Sequence, residues 1–138
     1  MRKSCLVLLF LVAALPLAGA QAPLARTVVF DVIEKTIPEL EAAMNAGTVT
    51  SRQLVEIYLA RIAAYDKHGP SLNAIVATNT EALAAADALD AERKAGKVRG
   101  PLHGIPLLVK DNYETLEMPT SAGSIALASF HPRADAFQ

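Results

Sequence analysis

The chain has 138 residues, 52% of them hydrophobic and 20% charged, with a formal net charge of −1. That length allows one domain with a core of useful size, and the apolar fraction excludes wholesale disorder. Near-neutral charge gives no electrostatic pull toward nucleic acid or an anionic membrane, and aromatics at 5% with no Trp argue against base-stacking platforms and aromatic cages.

The N-terminus has a character of its own. Arg2 and Lys3 form a basic start, Cys5 to Leu17 is an apolar run without charge, and Ala18-Gly19-Ala20 supplies small residues. Basic, apolar and small-residue regions in that order make an export signal, so residues 1–20 are expected to be cleaved. The run is shorter than the roughly 20 residues a membrane-spanning helix needs, and no span is expected after cleavage. An exported protein, periplasmic or extracellular, is the expectation. Cys5, the single cysteine, lies inside the run. The mature chain would then have no disulfide, no thiolate metal site and no cysteine nucleophile.

Residues 21–35 read as an extended lead-in, with Val28-Val29-Phe30 as a short strand. Thr36-Ile37-Pro38-Glu39 carries a capping Thr, an acid three residues later and an early Pro, the marks of a helix start, and Gly47 suits its end. Thr50 and Gln53 form a second capping box. Leu54, Tyr58, Arg61-Ile62 and Tyr65 then recur at helical spacing, with Arg52, Glu56 and Asp66 on other faces, until Gly69-Pro70.

Leu72 to Ala77 is a compact, β-capable run. Thr78, Asn79 and Thr80 offer caps for an Ala-rich helix lasting to Gly96, on which Asp90 and Lys94 can pair across one turn. Gly100-Pro101 breaks the chain, and Ile105 to Val109 is an apolar run typical of a strand buried on both faces. Strand, helix and strand make a βαβ unit. The fold class is therefore α/β, a helical pair followed by a βαβ unit. Beyond Asp111 the text is loop-like, with a weak apolar patch at Ile125 to Leu127, and Ala134 to Gln138 reads as the first turn of a helix with Asp135 near its start.

His68, His103 and His131 lie far apart without metal-ligand spacing, and Gly100, Gly104 and Gly123 match neither phosphate-binding fingerprint. No metal and no cofactor is expected. Lys110 stands out because it ends the apolar run Ile105 to Val109, and ligand sites in α/β sheets gather at the carboxyl ends of strands. Desolvation there favours the neutral amine, a competent general base. The plainer possibility is a charge marking where a buried strand meets water. Asp111 could stabilise the charged lysine, although strand alternation would send the two side chains to opposite faces.

Gly100-Pro101-Leu102-His103-Gly104-Ile105-Pro106-Leu107-Leu108-Val109-Lys110-Asp111-Asn112 resembles the lysine motif of the amidase signature family. These are serine amidohydrolases that include bacterial amidases, fatty acid amide hydrolase and the amidotransferase subunit that liberates ammonia from glutamine. Thr50 to Val55 with Arg61-Ile62 resembles the family's early helix, and Leu72 to Val76 its next strand. Met118-Pro119-Thr120 with Ala122-Gly123-Ser124 resembles the loop after the lysine, and Asp135-Ala136-Phe137 the start of the next helix. The likeness runs in order from Thr36 to Phe137, so residues 36–138 are read as the N-terminal part of an amidase domain, and the resemblance implies that the βαβ unit belongs to a larger mixed sheet.

The resemblance implies that Lys110 is the general base, taking a proton from a nucleophilic serine through a bridging serine held in a cis peptide. It implies a small-molecule or peptide amide as substrate and an oxyanion held by backbone N–H groups of a glycine- and serine-rich loop. That loop lies downstream of the last residue here, and Ser121, Ser124 and Ser129 are not in its context. The 138 residues are expected to hold the base without the nucleophile, to be inactive alone, and to be partly molten with sheet edges unpaired. Ammonia supply inside a cytoplasmic amidotransferase is disfavoured by the export signal. A different class, a short exported non-catalytic binding module using the helix pair or sheet edge, is the alternative.

Overall fold

A computed structural model describes residues 30–137; the segment read as an export signal, the Val28-Val29 pair and Gln138 lie outside the described residues. Helix α1 spans Ile37–Asn45 and α2 spans Ser51–Arg61. Each begins with the capping box expected of it. Thr36 N–H donates to Glu39 Oε2 at 2.8 Å, and Thr50 N–H donates to Gln53 Oε1 at 2.9 Å while Gln53 N–H donates back to Thr50 Oγ1 at 3.1 Å. The four orphan donors of a helix start explain why these residue types sit there. Helix α1 ends at Gly47 (φ +70°), with Thr48 N–H on the Ala43 carbonyl and Gly47 N–H on the Met44 carbonyl. This is a Schellman closure, and the left-handed residue in it favours glycine.

Helix α2 does not stop at Arg61. It widens into a single π turn, Ile62–Lys67, and the chain turns away at Gly69 (φ +54°). A Cβ at Gly69 would lie 2.8 Å from the Ala64 carbonyl oxygen, so the stop expected at Gly69-Pro70 has a steric basis. The π turn corrects one expectation. Simple helical spacing puts Tyr65 inside and Asp66 outside, yet Asp66 is 4% exposed and Tyr65 is 49% exposed. A π turn inserts one residue into the helical register, rotating the residues after it by about one position.

The strand expected at Leu72 to Ala77 is not formed; this segment is an irregular turn. Leu72 N–H returns to the Tyr65 carbonyl and Asn73 N–H to the Asp66 carbonyl, while Asp66 Oδ1 accepts from Ala74 N–H at 2.6 Å and Ile75 N–H at 3.2 Å. Side-chain capture of these donors competes directly with a β-ladder. Helix α3 then spans Ala82–Lys94, entered through Asn79, whose side-chain oxygen accepts from Glu81 N–H at 2.8 Å. It closes at Gly96 as α1 closes at Gly47, with Lys97 N–H on the Glu92 carbonyl.

The core is small. Val32, Leu40, Met44, Val49 and Leu54 form it, with Phe30, Ala43, Ile57, Tyr58 and Ile105 packed around them. Ile105 is the one member of the Ile105 to Val109 run that joins this cluster. Leu107 is 64% exposed and Leu108 80%. The expectation of a strand buried on both faces is therefore corrected, and no strand is assigned among the described residues. A doubly buried strand needs a layer on each side, and the described residues supply neither. The helix turn expected at Ala134 to Gln138 is also absent over residues 134–137. There Asp135 Oδ1 accepts from Leu116 N–H at 2.8 Å and Ala136 N–H donates to the Glu114 carbonyl, tying the segment to the preceding loop. No helix among the described residues is long and apolar enough to cross a membrane.

Candidate functional site: the Lys110 cleft

The lysine motif divides into a docked half and an open half. His103 is buried, its Nε2 donates to the Leu89 carbonyl at 2.9 Å, and its Nδ1 accepts from Arg99 N–H at 3.4 Å. Because a carbonyl can only accept, this pairing fixes the ring tautomer. Arg93 Nη2 donates to the His103 carbonyl at 2.8 Å, and Ser51 Oγ donates to the Gly104 carbonyl at 2.7 Å. Gly104 has φ +79°, and a Cβ there would stand 3.1 Å from Ser51 Cβ. The Gly-Pro-Leu-His-Gly text is thus the part that fastens the motif onto α2 and α3. His103 is structural, and no group of three or more His, Cys, Asp or Glu capable of holding a metal occurs among the described residues.

From Leu107 the chain runs free of the helices to Lys110, which is exposed. The ion pairs among the described residues are Lys35–Glu39, Arg52 with Glu56 and Asp87, Lys67–Asp66 and Arg99–Glu92, and none involves Lys110. Desolvation of Lys110, expected from a buried strand end, is not found among these residues, for the reason that leaves Leu107 and Leu108 uncovered. Lys110 lines an open cleft of about 760 Å³ with Leu108, Val109 and Asp111 on its own side. Ala74 to Ala77 form another wall, and Met118, Pro119, Ala122 and Gly123 a third. The walls are largely apolar, and Lys110 is the cation among the lining residues.

Two aspartates shape this cleft, and the sequence pattern gives a functional weight to neither. Asp111 does not pair with Lys110. Its Oδ1 accepts from Ser121 N–H at 2.9 Å, its Oδ2 accepts from the Ser121 hydroxyl and from Gly123 N–H at 3.2 Å, and its carbonyl accepts from Ala122 N–H at 3.0 Å. The Ser121 hydroxyl and N–H, with Gly123 N–H, hold this carboxyl below the usual carboxylate range. Asp66 pins the opposite wall through Ala74 and Ile75, and its Oδ2 faces the Lys67 ammonium at 2.9 Å. Lys67 is the main cause of a lowered pKa there, followed by the two backbone donors. Lys67 also donates to the Ile75 carbonyl at 2.8 Å, so the same wall is held from both sides of the pair.

The remaining polar candidates have structural partners. Ser121 is bound to Asp111, and Ser124 opens a 3-10 turn, Ile125–Leu127, in which its carbonyl accepts from Leu127 N–H. Thr120 is buried, donating from Oγ1 to the Tyr113 carbonyl at 3.2 Å and from its N–H to the Phe130 carbonyl. The clue that could have revealed Asp66 is its place before Gly69-Pro70, where a turning chain leaves backbone donors without partners. For Asp111 it is the Ser-Ala-Gly triplet ten residues on, a run rich in free N–H groups.

The sequence profile of the Amidase family matches residues 53–138. The chain belongs to the amidase family. It is 45% identical over 104 residues to a glutamyl-tRNA(Gln) amidotransferase subunit of Alkalilimnicola ehrlichii, a match covering 75% of this chain and 21% of that protein. The crystal structure of peptide amidase from Stenotrophomonas maltophilia superimposes with a TM-score of 0.71 at 50% identity, covering 72% of this chain and 20% of that one. An amidase family protein from Bacillus anthracis gives a TM-score of 0.71 at 37% identity over 75% of this chain and 21% of that one. This amidase chain therefore spans about a fifth of the length of the relatives it matches. Solved family members are its structural neighbours, and the capping box of α2 apart from Thr50 itself, the docked His103 and the whole lining of the cleft fall within the segment the profile covers.

Proposed function

We propose that this chain is the lysine-bearing part of a serine amidohydrolase that cleaves a carboxamide bond, with Lys110 as general base. The observation that carries the reading is Lys110 itself. Lys110 is exposed, lines an open, mostly apolar cleft, and is unpaired with any carboxylate among the described residues, at the position matching the family's lysine motif. A base must be free to accept a proton, and an ion-paired ammonium is not.

The chemistry builds on that placement. A serine hydroxyl is a weak nucleophile until its proton is withdrawn, and Lys110 withdraws it through a second, bridging serine. The alkoxide attacks the amide carbonyl, the leaving nitrogen departs with a proton, and water releases the acyl group from the serine. Neither serine is assigned within these residues: Ser121 is committed to Asp111 and Ser124 to a turn. The whole enzyme therefore draws its nucleophile from sequence matching the remaining length of the relatives. The peptide amidase likeness favours a small or peptide amide, and apolar walls suit an acyl group of that character. The basic, apolar and small-residue order of residues 1–20 favours export.

Fluorophosphonate labelling of the full gene product tests the reading, since such reagents phosphonylate only an activated serine. Label is expected in the wild type, mapping by peptide mass to a serine other than Ser121, Ser124 or Ser129, and lost in Lys110→Ala. Equal labelling in both proteins would overturn the role of Lys110.

A further inference from the structure

The turn at residues 121–123 is strained. Ala122 has φ +48° and Gly123 φ +74°, two successive left-handed residues, the first of which carries a Cβ. Such a conformation persists only where its surroundings over-determine it. Here one residue does so. Asp111 accepts from Ser121 N–H, the Ser121 hydroxyl and Gly123 N–H with its carboxylate, and from Ala122 N–H with its carbonyl. Asp111 is also the residue directly after Lys110, and both line the same cleft as Ala122 and Gly123.

We infer that Asp111 is a positioning residue: it fixes the Ser121–Gly123 turn as a cleft wall and so sets the space available to the substrate in front of Lys110. The inference rests on the amidase reading of the cleft. It differs from a general stabilising role in being local. The core of Val32, Leu40, Met44, Val49 and Leu54 has no contribution from Asp111 or from this turn. Loss of the carboxylate should therefore loosen one wall without loosening the helices. An amide in place of the carboxylate can still accept from Ser121 N–H and donate to the Ser121 hydroxyl, and Gly123 N–H keeps the Ser121 hydroxyl oxygen as an acceptor at 3.3 Å.

The test uses Asp111→Ala and Asp111→Asn in the full gene product, with two readouts. The first is amide hydrolysis: Asp111→Ala should raise KM about tenfold with kcat within about threefold, the scale of one lost charge-assisted hydrogen bond, and Asp111→Asn should recover most of that loss. The second is backbone hydrogen exchange of the peptide holding residues 121–123, which should quicken in Asp111→Ala while exchange in α2 and α3 stays as in the wild type. An unchanged KM with unchanged exchange would overturn the inference. So would exchange quickened everywhere, which would make Asp111 a general stabiliser. Should the wild type hydrolyse no amide, the amidase reading fails, and the exchange readout still decides whether Asp111 holds the turn.

Discussion

The Asp90 carboxylate, on α3, accepts from the backbone N–H of Ser51 at 2.8 Å and of Arg52 at 3.1 Å, so one helix caps the N-terminus of another. The pairing of Asp90 with Lys94 expected from their spacing is not the one made. A carboxylate at a helix start gains both from the orphan donors and from the helix dipole. Ser51, the first residue of α2, turns its hydroxyl to the Gly104 carbonyl and so fastens the lysine motif.

Asp90→Ala should therefore cost the full gene product about 1–2 kcal/mol, the range of a lost cap with a charged acceptor. Denaturant titration reads this directly, and an unchanged midpoint would show that water replaces the carboxylate at no cost.

Gly104→Ala should be worse than a glycine-to-alanine change usually is. The residue sits at φ +79°, and the new Cβ would press on Ser51 at 3.1 Å, in a buried contact. A loss of about 1–3 kcal/mol is expected from the backbone alone. Because Gly104 fixes the origin of the segment leading to Lys110, amide hydrolysis should fall more than stability predicts. Thermal melts beside kcat/KM separate the two effects.

Acid should loosen the walls of the cleft. Asp66 and Asp111 both have folded pKa values below their ordinary ones, through Lys67 and through Ser121 respectively. A depressed carboxylate contributes stability that is fully present above its unfolded pKa, about 4, and is lost as pH falls through the folded value. Hydrogen exchange at residues 74–75 and 121–123 should thus be constant, once corrected for its intrinsic pH dependence, from neutral pH down to about pH 5 and rise below about pH 4. A rise between about pH 6 and 8 would point to other groups.

The 138 residues by themselves should not melt sharply. Among the described residues the buried core cluster is five side chains, while Leu72, Val76, Leu107, Leu108, Ile125 and Phe137 are all exposed. Apolar surface left in water adds nothing to stability and invites association. Calorimetry of the isolated chain should show a broad, low-enthalpy transition. A single cooperative peak with dispersed amide resonances would contradict this.

Local rules written in single residues were legible in the sequence. Thr36 with Glu39, Thr50 with Gln53, and Gly47, Gly69 and Gly96 act where their chemistry requires, because a cap or a left-handed closure depends on neighbours within a few positions. The lysine motif was legible as text, though not its division into a docked half and an open half. The hidden features depend on distant partners. Asp66 was misplaced because a π turn breaks the helical period, and Asp90 because its partners lie 38 and 39 residues away. The expected strands at Leu72 to Ala77 and Ile105 to Val109 failed for a related reason. β-capable composition becomes a strand only when another chain segment takes its hydrogen bonds, and Asp66 takes those of Ala74 and Ile75 instead.

The role of Lys110 as the base of an amide hydrolase is read out by ammonia release from a C-terminally amidated peptide. The full gene product and its Lys110→Ala variant would be compared at matched helicity. Turnover is expected from the wild type, with kcat lower by about 10⁴-fold or more in the variant, the scale of losing a member of a nucleophile–base unit. Turnover by the variant within about tenfold of wild type would contradict that role.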